Sequence, residues 1–318
     1  MTAYRDQAAL ALRAAAVASP SSISWFGRRS RAVPAGGLLP ARTYLVHELE
    51  GTLYRAFYTQ GAPMPVTGVL QASSPPAPSF VDALSRVNVG RGGWQAGWRI
   101  VRAEPPGLVV ARDGLLVHVP SASCRQTDES TVSLPRSNED RAASPGFYTA
   151  LGDAVPALGD DDVEVRVYFH LTAAGAAPLV ASCTRVLNGA AVPFVLKVVD
   201  NPAAFMRCDA GVLYLGDFPR DGVREVVAAC RPYLRADAPA FAKPLTGGVA
   251  VGEHRAALGG SFGSSRCRLV AEGIVDAYER RARSLDARLE AVERRFGERD
   301  LSLDAPYLVP GSVDGYAL

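Results

Sequence analysis

Lysine is nearly missing from this 318-residue sequence: of 34 basic residues, 32 are arginine and only Lys197 and Lys243 are lysine. A bias against lysine can empty ordinary surface positions, where arginine serves as well. It has little force where a primary amine is required, because arginine stays protonated while a lysine can lose its proton when its pKa is depressed. The two survivors are therefore the first candidates for a site. Cysteine is scarce as well. Cys124, Cys183, Cys208, Cys230 and Cys267 are odd in number and scattered, with no Cys-x-x-Cys pair. That argues against a disulfide framework and a zinc site, and it points to a reducing cytoplasm. The four histidines, His47, His118, His170 and His254, never cluster, and no nucleophile elbow, zincin or kinase motif appears, so metal catalysis and triad hydrolysis have no support. A net charge of +2 with no basic stripe argues against nucleic acid as a partner. No apolar run approaches the roughly 20 residues of a membrane span. Arg13 interrupts the Ala-rich start, Ala8 to Ala18, so we read an amphipathic helix there rather than a signal peptide.

What is present, with 48% hydrophobic residues, is enough apolar material for one large core or two modest ones. Residues 4–17 read as a helix, and residues 43–58, with Tyr54, Phe57 and Tyr58, as strands. The Pro/Ser-rich stretch Ser73 to Ser79 is the best boundary. It divides residues 1–72, a possible peptide-binding part, from an α+β domain over 80–318, unless the two form one continuous fold. A short helix spans Phe80 to Val87, and Asp113-Gly114 turns a hairpin between Trp98–Val110 and Leu115–Val119. Arg125 to Ser144 is polar and reads as mobile. From Val163 to Leu171 apolar residues alternate strictly, which puts Arg166, Tyr168 and His170 on one face of a strand. Val192 to Val199, with Lys197 inside it, and Val212 to Leu215 are further strands, whereas Ala176 to Leu187 is helical or extended. Val223 to Leu234 and Ser265 to Phe296 carry helical spacing. The expected class is α+β, with a central, largely antiparallel sheet and a helical C-terminal third.

Lys197 in an apolar strand must either pair with an acid or lose pKa. Lys243, in Phe241-Ala242-Lys243-Pro244-Leu245 ahead of the Gly247-Gly248 turn, could instead snorkel or form an ion pair. Gly259 to Arg266 precedes the long helix, and a helix start offers free N–H groups to an anion, with Arg266 as a possible fork. It matches no Walker pattern, and a structural turn is the simpler reading. Arg166 and Arg207, each half-buried by pattern, want a phosphate or an internal carboxylate such as Glu164 or Asp209. His170 is an edge residue or an acid catalyst.

Nine segments, in order along nearly the whole chain, resemble the HopA-type type III effector-like family. They are ALRAAAVASPSSISWFGR, LYRAFYTQGAP, LSRVNVGRGGWQAGWRI, SLPRSNEDRAASPGFYTALGDA, VRVYFHLTAAGAAPLV, LNGAAVPFVLKVVDNPAAFMRCDAGVLYL, PAFAKPLTGGVAVGE, SFGSSRCRLVAEGIV and PYLVPGSVDGY. Bacterial biosynthetic members of that family act as phosphoserine/phosphothreonine lyases in class V lanthipeptide and related pathways. The resemblance implies roles for Lys197, Arg207, Tyr214, Lys243, Arg266 and Glu272. Arg136 stands where the family tends to have lysine, Phe169-His170 where it tends to have Trp-Asn, and Ser265 where a histidine is common.

The expectation that follows is β-elimination of phosphate from a peptide, leaving dehydroalanine or dehydrobutyrine. Lys197 and Lys243 would share one cavity, one as base and one as a charge beside the carbonyl. Tyr168 and His170 would assist, and Arg166, Arg207 and Arg266 would hold the phosphate. No cofactor is implied. The partners would be a phosphorylated precursor peptide, a separate kinase-like protein and a possible cyclase, in the cytoplasm, with no nucleic acid or membrane. Two rivals are a non-catalytic partner that binds the peptide or the kinase, and a cyclase; the latter commonly needs zinc to activate a thiol, and no ligand cluster is evident.

Overall fold

The computed structural model describes residues 3–30, 40–60, 75–154, 159 and 161–318. Residues 61–74, including the first part of the expected boundary at Ser73 to Ser79, lie outside the described residues.

The first helix, α1 (Ala3–Ala14), buries Ala8, Ala11 and Leu12 and stops three residues short of the expected end. Ile23 and Trp25 alternate inward on the next strand and require a pairing partner, so the chain becomes β1 (Ala15–Ser19), β2 (Ser22–Trp25) and β3 (Arg28–Arg29). Residues 43–58 are not strands. They form α2 (Ala41–Thr52) and a π-helical turn, Leu53–Tyr58. Leu45, Leu49 and Leu53 recur every four residues and are all buried, a helical period that outweighs the weak alternation.

After α3 (Pro78–Val87), where proline occupies the first turn, the chain builds an antiparallel sheet. Its strands are β4 (Gly93–Glu104), β5 (Gly107–Arg112), β6 (Leu115–Pro120), β7 (Arg125–Gln126) and β8 (Thr131–Arg136), in the order β6-β5-β4-β8-β7. Asp113 and Gly114 both take positive φ, 49° and 81°, as a two-residue hairpin requires. The stretch 98–110 is two strands broken at Pro105-Pro106. Half of the segment expected to be mobile is strand: Asp128 organises its turn by accepting from the Ser130 amide and the Ser130 and Thr131 hydroxyls, and Val132 and Leu134 fill the core of this sheet.

A short β9 (Glu139–Asp140) leads into the main sheet. This adds β10 (Phe147–Leu151), β11 (Glu164–Phe169), β12 (Phe194–Val199), β13 (Gly211–Leu215), β14 (Lys243–Thr246) and β15 (Val249–His254), all antiparallel, in the order β14-β15-β11-β13-β12-β10-β9. One face is covered by α4 (Ala176–Gly189) and α5 (Arg220–Cys230); α4 settles the 176–187 stretch as helix. The other face is covered by α1, α2, α6 (Phe262–Glu279) and α7 (Leu285–Gly297), whose apolar sides share one core. The stripe expected as one long helix is thus two packed helices. The chain reverses at Arg281, φ 57°, and restarts where the Ser284 hydroxyl accepts the Ala287 amide. The fold is α+β, as expected. Helices on both faces mean that Arg166 and Tyr168, on the polar side of an alternating strand, are turned into protein rather than water.

Candidate functional site

Register alone gathers the central residues. Lys197 on β12 pairs with Val212 on β13, and Val212 pairs with Tyr168 on β11; Tyr214 pairs with Arg166. Paired residues in an antiparallel sheet project to the same face, so Lys197, Tyr214, Arg166 and Tyr168 point together towards α6. They line a cavity of about 270 Å³, which Asp209 and Tyr54 help to close.

The Lys197 ammonium lies 5.1 Å from the centre of the Tyr214 ring and has no hydrogen bond or ion pair among the described residues. Partial burial lowers its pKa, the nearby Arg166 guanidinium lowers it further, and Glu164 partly restores it. Arg166 is 9% exposed. Its Nε donates to Glu164 Oε1 at 2.7 Å, its Cζ stands 5.0 Å over the same Tyr214 ring, and its terminal nitrogens have no partner among the described residues. Arg207 does not line the cavity itself but stands behind two residues that do, Asp209 and Phe147. Its Nε and Nη2 donate to the two oxygens of buried Asp209, the latter at 2.8 Å, and its Cζ lies 5.2 Å over Phe147. With Arg166 matched by Glu164 and Arg207 by Asp209, the unmatched charge in the cavity is that of Lys197. Burial keeps Tyr54, Tyr58 and Tyr168 protonated, with pKa values raised. The π-helical turn stacks Tyr54 on Tyr58, with ring centres 5.2 Å apart. Sequence reasoning had marked these two tyrosines only as part of an aromatic cluster in supposed strands; their four-residue spacing was the available signal.

Several expected residues lie elsewhere. Lys243 is on β14, four strands from β12 in the sheet, or roughly 19 Å at the usual strand spacing. It pairs with Val251, which pairs with Val167 on the opposite face. The expectation of one cavity for both lysines fails because three strands and a change of face separate them. The Lys243 ammonium instead donates to both oxygens of Asp314 at 2.7 and 2.6 Å and to the Tyr316 carbonyl at 2.8 Å. Arg266 is 0% exposed. It donates to the carbonyls of Pro306 (2.8 Å), Leu308 (3.3 Å) and Glu253 (3.4 Å), and burial brings its pKa down to about 10. It anchors the C-terminal segment and borders a separate cleft beside α6 rather than the Lys197 cavity; a Ser261/Ser264 capping box closes the start of its helix. His170 lies beyond the end of β11, where its Nδ1 is 3.1 Å from the Asp237 carbonyl and burial lowers its pKa. It does not line the cavity. Glu272 pairs with Arg268 on the outer side of α6. Of the residues that depart from the family pattern, Arg136 holds the carbonyls of Gly152 and Asp153, and the Ser265 hydroxyl donates to the Phe262 carbonyl.

The fold and the cavity define an antiparallel α+β protein with an unpaired amine set among arginines and tyrosines. Residues 138–308, more than half of the chain, match the model of the HopA1 effector protein family, and the chain belongs to that family. No curated relative matches it in sequence. Two solved effector protein structures are similar, from Pseudomonas syringae pv. tomato strain DC3000 and pv. syringae strain 61. Each is 14% identical over 85% of this chain and 96% of its own, with TM-scores of 0.48 and 0.49. No helix among the described residues is long and apolar enough to cross a membrane.

Proposed function

We propose that this protein eliminates phosphate from phosphoserine or phosphothreonine in a peptide, with Lys197 as the base. The observation that supports this best is an unpaired, half-buried amine whose pKa is lowered beside Arg166. The neutral Lys197 amine removes the α-proton. The electrons of the broken Cα–H bond form the Cα=Cβ double bond, the Cβ–O bond breaks, and phosphate leaves with that electron pair. The Lys197 ammonium then returns its proton to solvent. The free nitrogens of Arg166 hold the leaving phosphate as charge builds on it, with Arg207 adding positive charge from behind Asp209, and the tyrosine hydroxyls are the nearest neutral donors. Phosphate is a good leaving group, with a second pKa near ~6, so the reaction does not depend on a strong general acid. Lys243, Arg266 and His170 take no part in this scheme. A kinase-like protein in the cytoplasm would supply the phosphopeptide, and a cyclase would consume the dehydroamino acid.

Incubation of the protein alone with a phosphoserine or phosphothreonine peptide should release inorganic phosphate and shift the peptide to its dehydrated mass. Lys197→Arg keeps the charge but cannot accept a proton at working pH. It should reduce the rate by about 10²–10⁴-fold while phosphopeptide binding persists. Tight binding by the wild type with no dehydration would instead identify a non-catalytic peptide-binding module.

A further inference from the structure

On the far side of α6 from the cavity, two abutting clefts of about 200 and 390 Å³ form a groove between α2 and α6, open towards α7. Both are bordered by Glu50, Arg268 and Glu272. Most of the charge along this groove is satisfied internally. Arg268 pairs with Glu272, Arg42 with Asp276 and Glu279, and Arg295 with Asp276 and Glu298. Two groups are not. The half-buried Glu50 carboxylate and the Arg299 guanidinium make no hydrogen bond or ion pair among the described residues. Burial raises the Glu50 pKa, and the charges of Arg268 and His47 beside it only partly offset that rise. Among the described residues the groove therefore presents one carboxylate without a hydrogen-bonded partner at its centre and one exposed guanidinium without one at its α7 end. Only the first turn of α6 separates it from the cavity: Ser261 and Gly263 line the cavity, while Gly260, Ser264 and Ser265 line the groove.

We propose that this groove is an exosite for the peptide substrate, seating an arginine or lysine side chain on Glu50 and an acidic neighbour on Arg299. This deepens the lyase reading and rests on its premise that the substrate is a peptide. A chain whose phosphoresidue sits near Lys197 reaches the groove by crossing the Gly259–Ser261 loop, so one peptide engages both sites and the second contact selects it by charge pattern.

The test uses the full chain and fluorescence anisotropy with phosphoserine peptides that are identical except for one arginine moved stepwise away from the phosphoserine. One spacing should bind on the order of tenfold tighter than the arginine-free peptide, as a charge-assisted contact gives. Glu50→Gln, which removes the charge with little change of volume, should bring that peptide back to the arginine-free level. Glu50→Lys should make glutamate the preferred residue at the same spacing. Equal binding at every spacing, or a preference that survives Glu50→Gln, overturns the exosite. Dehydration assays on the same peptides separate the two readings. An arginine preference that depends on Glu50 without dehydration retains the exosite and removes the lyase; dehydration without the preference does the reverse.

Discussion

At the scale of single residues, Lys197 concentrates the functional argument because its cost and its use have the same origin. Burial and Arg166 disfavour its charged form, which destabilises the fold and, in the proposed elimination, would supply the base. The sign of the linkage is fixed. With a folded pKa below the unfolded value, the penalty is fully present below the folded pKa and disappears as pH rises through that value towards the unfolded one. Lys197→Met should therefore raise the melting temperature at neutral pH while abolishing dehydration, and the gain should shrink as pH rises. Thermal unfolding across pH measures this; a lower melting temperature for the variant at neutral pH would contradict it. In the wild type, dehydration should climb with pH through a midpoint below the ordinary lysine range near ~10.4.

At the scale of elements, the first turn of α6 and the π-helical turn set the shape of the cavity together. A Cβ at Gly263 would come within 2.3 Å of the Tyr58 ring, so glycine there is what lets Tyr58 pack against the helix. Alanine would favour the helix by about 1 kcal/mol, but overpacking a full core costs about 1–3 kcal/mol. Gly263→Ala should thus be neutral to destabilising in denaturant unfolding. It should also weaken phosphopeptide binding, because the displaced Tyr58 ring has the cavity beside it. Combining it with Tyr58→Leu should recover the stability but not the cavity wall. Gly263→Ala with unchanged binding and higher stability would show that Tyr58 moves freely.

At the scale of the whole molecule, the C-terminal segment works as a strap across the edge of the main sheet. Lys243 holds Asp314 and the Tyr316 carbonyl; the Tyr316 hydroxyl donates to buried Glu253 at 2.6 Å; Glu253 also accepts the Val309 amide at 2.9 Å; and Arg266 holds the carbonyls of Pro306 and Leu308. Lys243→Met should accordingly lower stability by about 1–2 kcal/mol, the range for a partly buried charged hydrogen bond, and leave the dehydration rate per folded molecule unchanged. A double-mutant cycle with Asp314→Asn should show coupling between the two positions. If Lys243→Met instead stops dehydration without destabilising the fold, the strap assignment is wrong and the lysine belongs to the chemistry.

How much of this was legible in the sequence differs with the range of the interaction involved. The α+β class, the Asp113-Gly114 hairpin, the alternating strand with Arg166 and Tyr168, and the oddity of Lys197 were all readable. Each rests on local spacing or on the chemistry of one residue type, and a sequence states both directly. Helix over 41–58 was missed because the apolar period there competes with an aromatic cluster of strand character. The strands within 125–144 were missed because a polar turn pinned by Asp128 looks the same as a loop until Val132 and Leu134 find their sheet. The site divided along the same line. Lys197, Arg166 and Tyr168 come together because β12, β13 and β11 are neighbours in register; Lys243 does not, because strand order and face put β14 across the sheet. The sequence by itself determined which residues could carry a reactive amine, a phosphate fork or a buried charge, since those are properties of side chains. Only the tertiary structure decided which of them share a cavity and which anchor a strap, because strand order, face and helix cover are set by non-local pairing and burial.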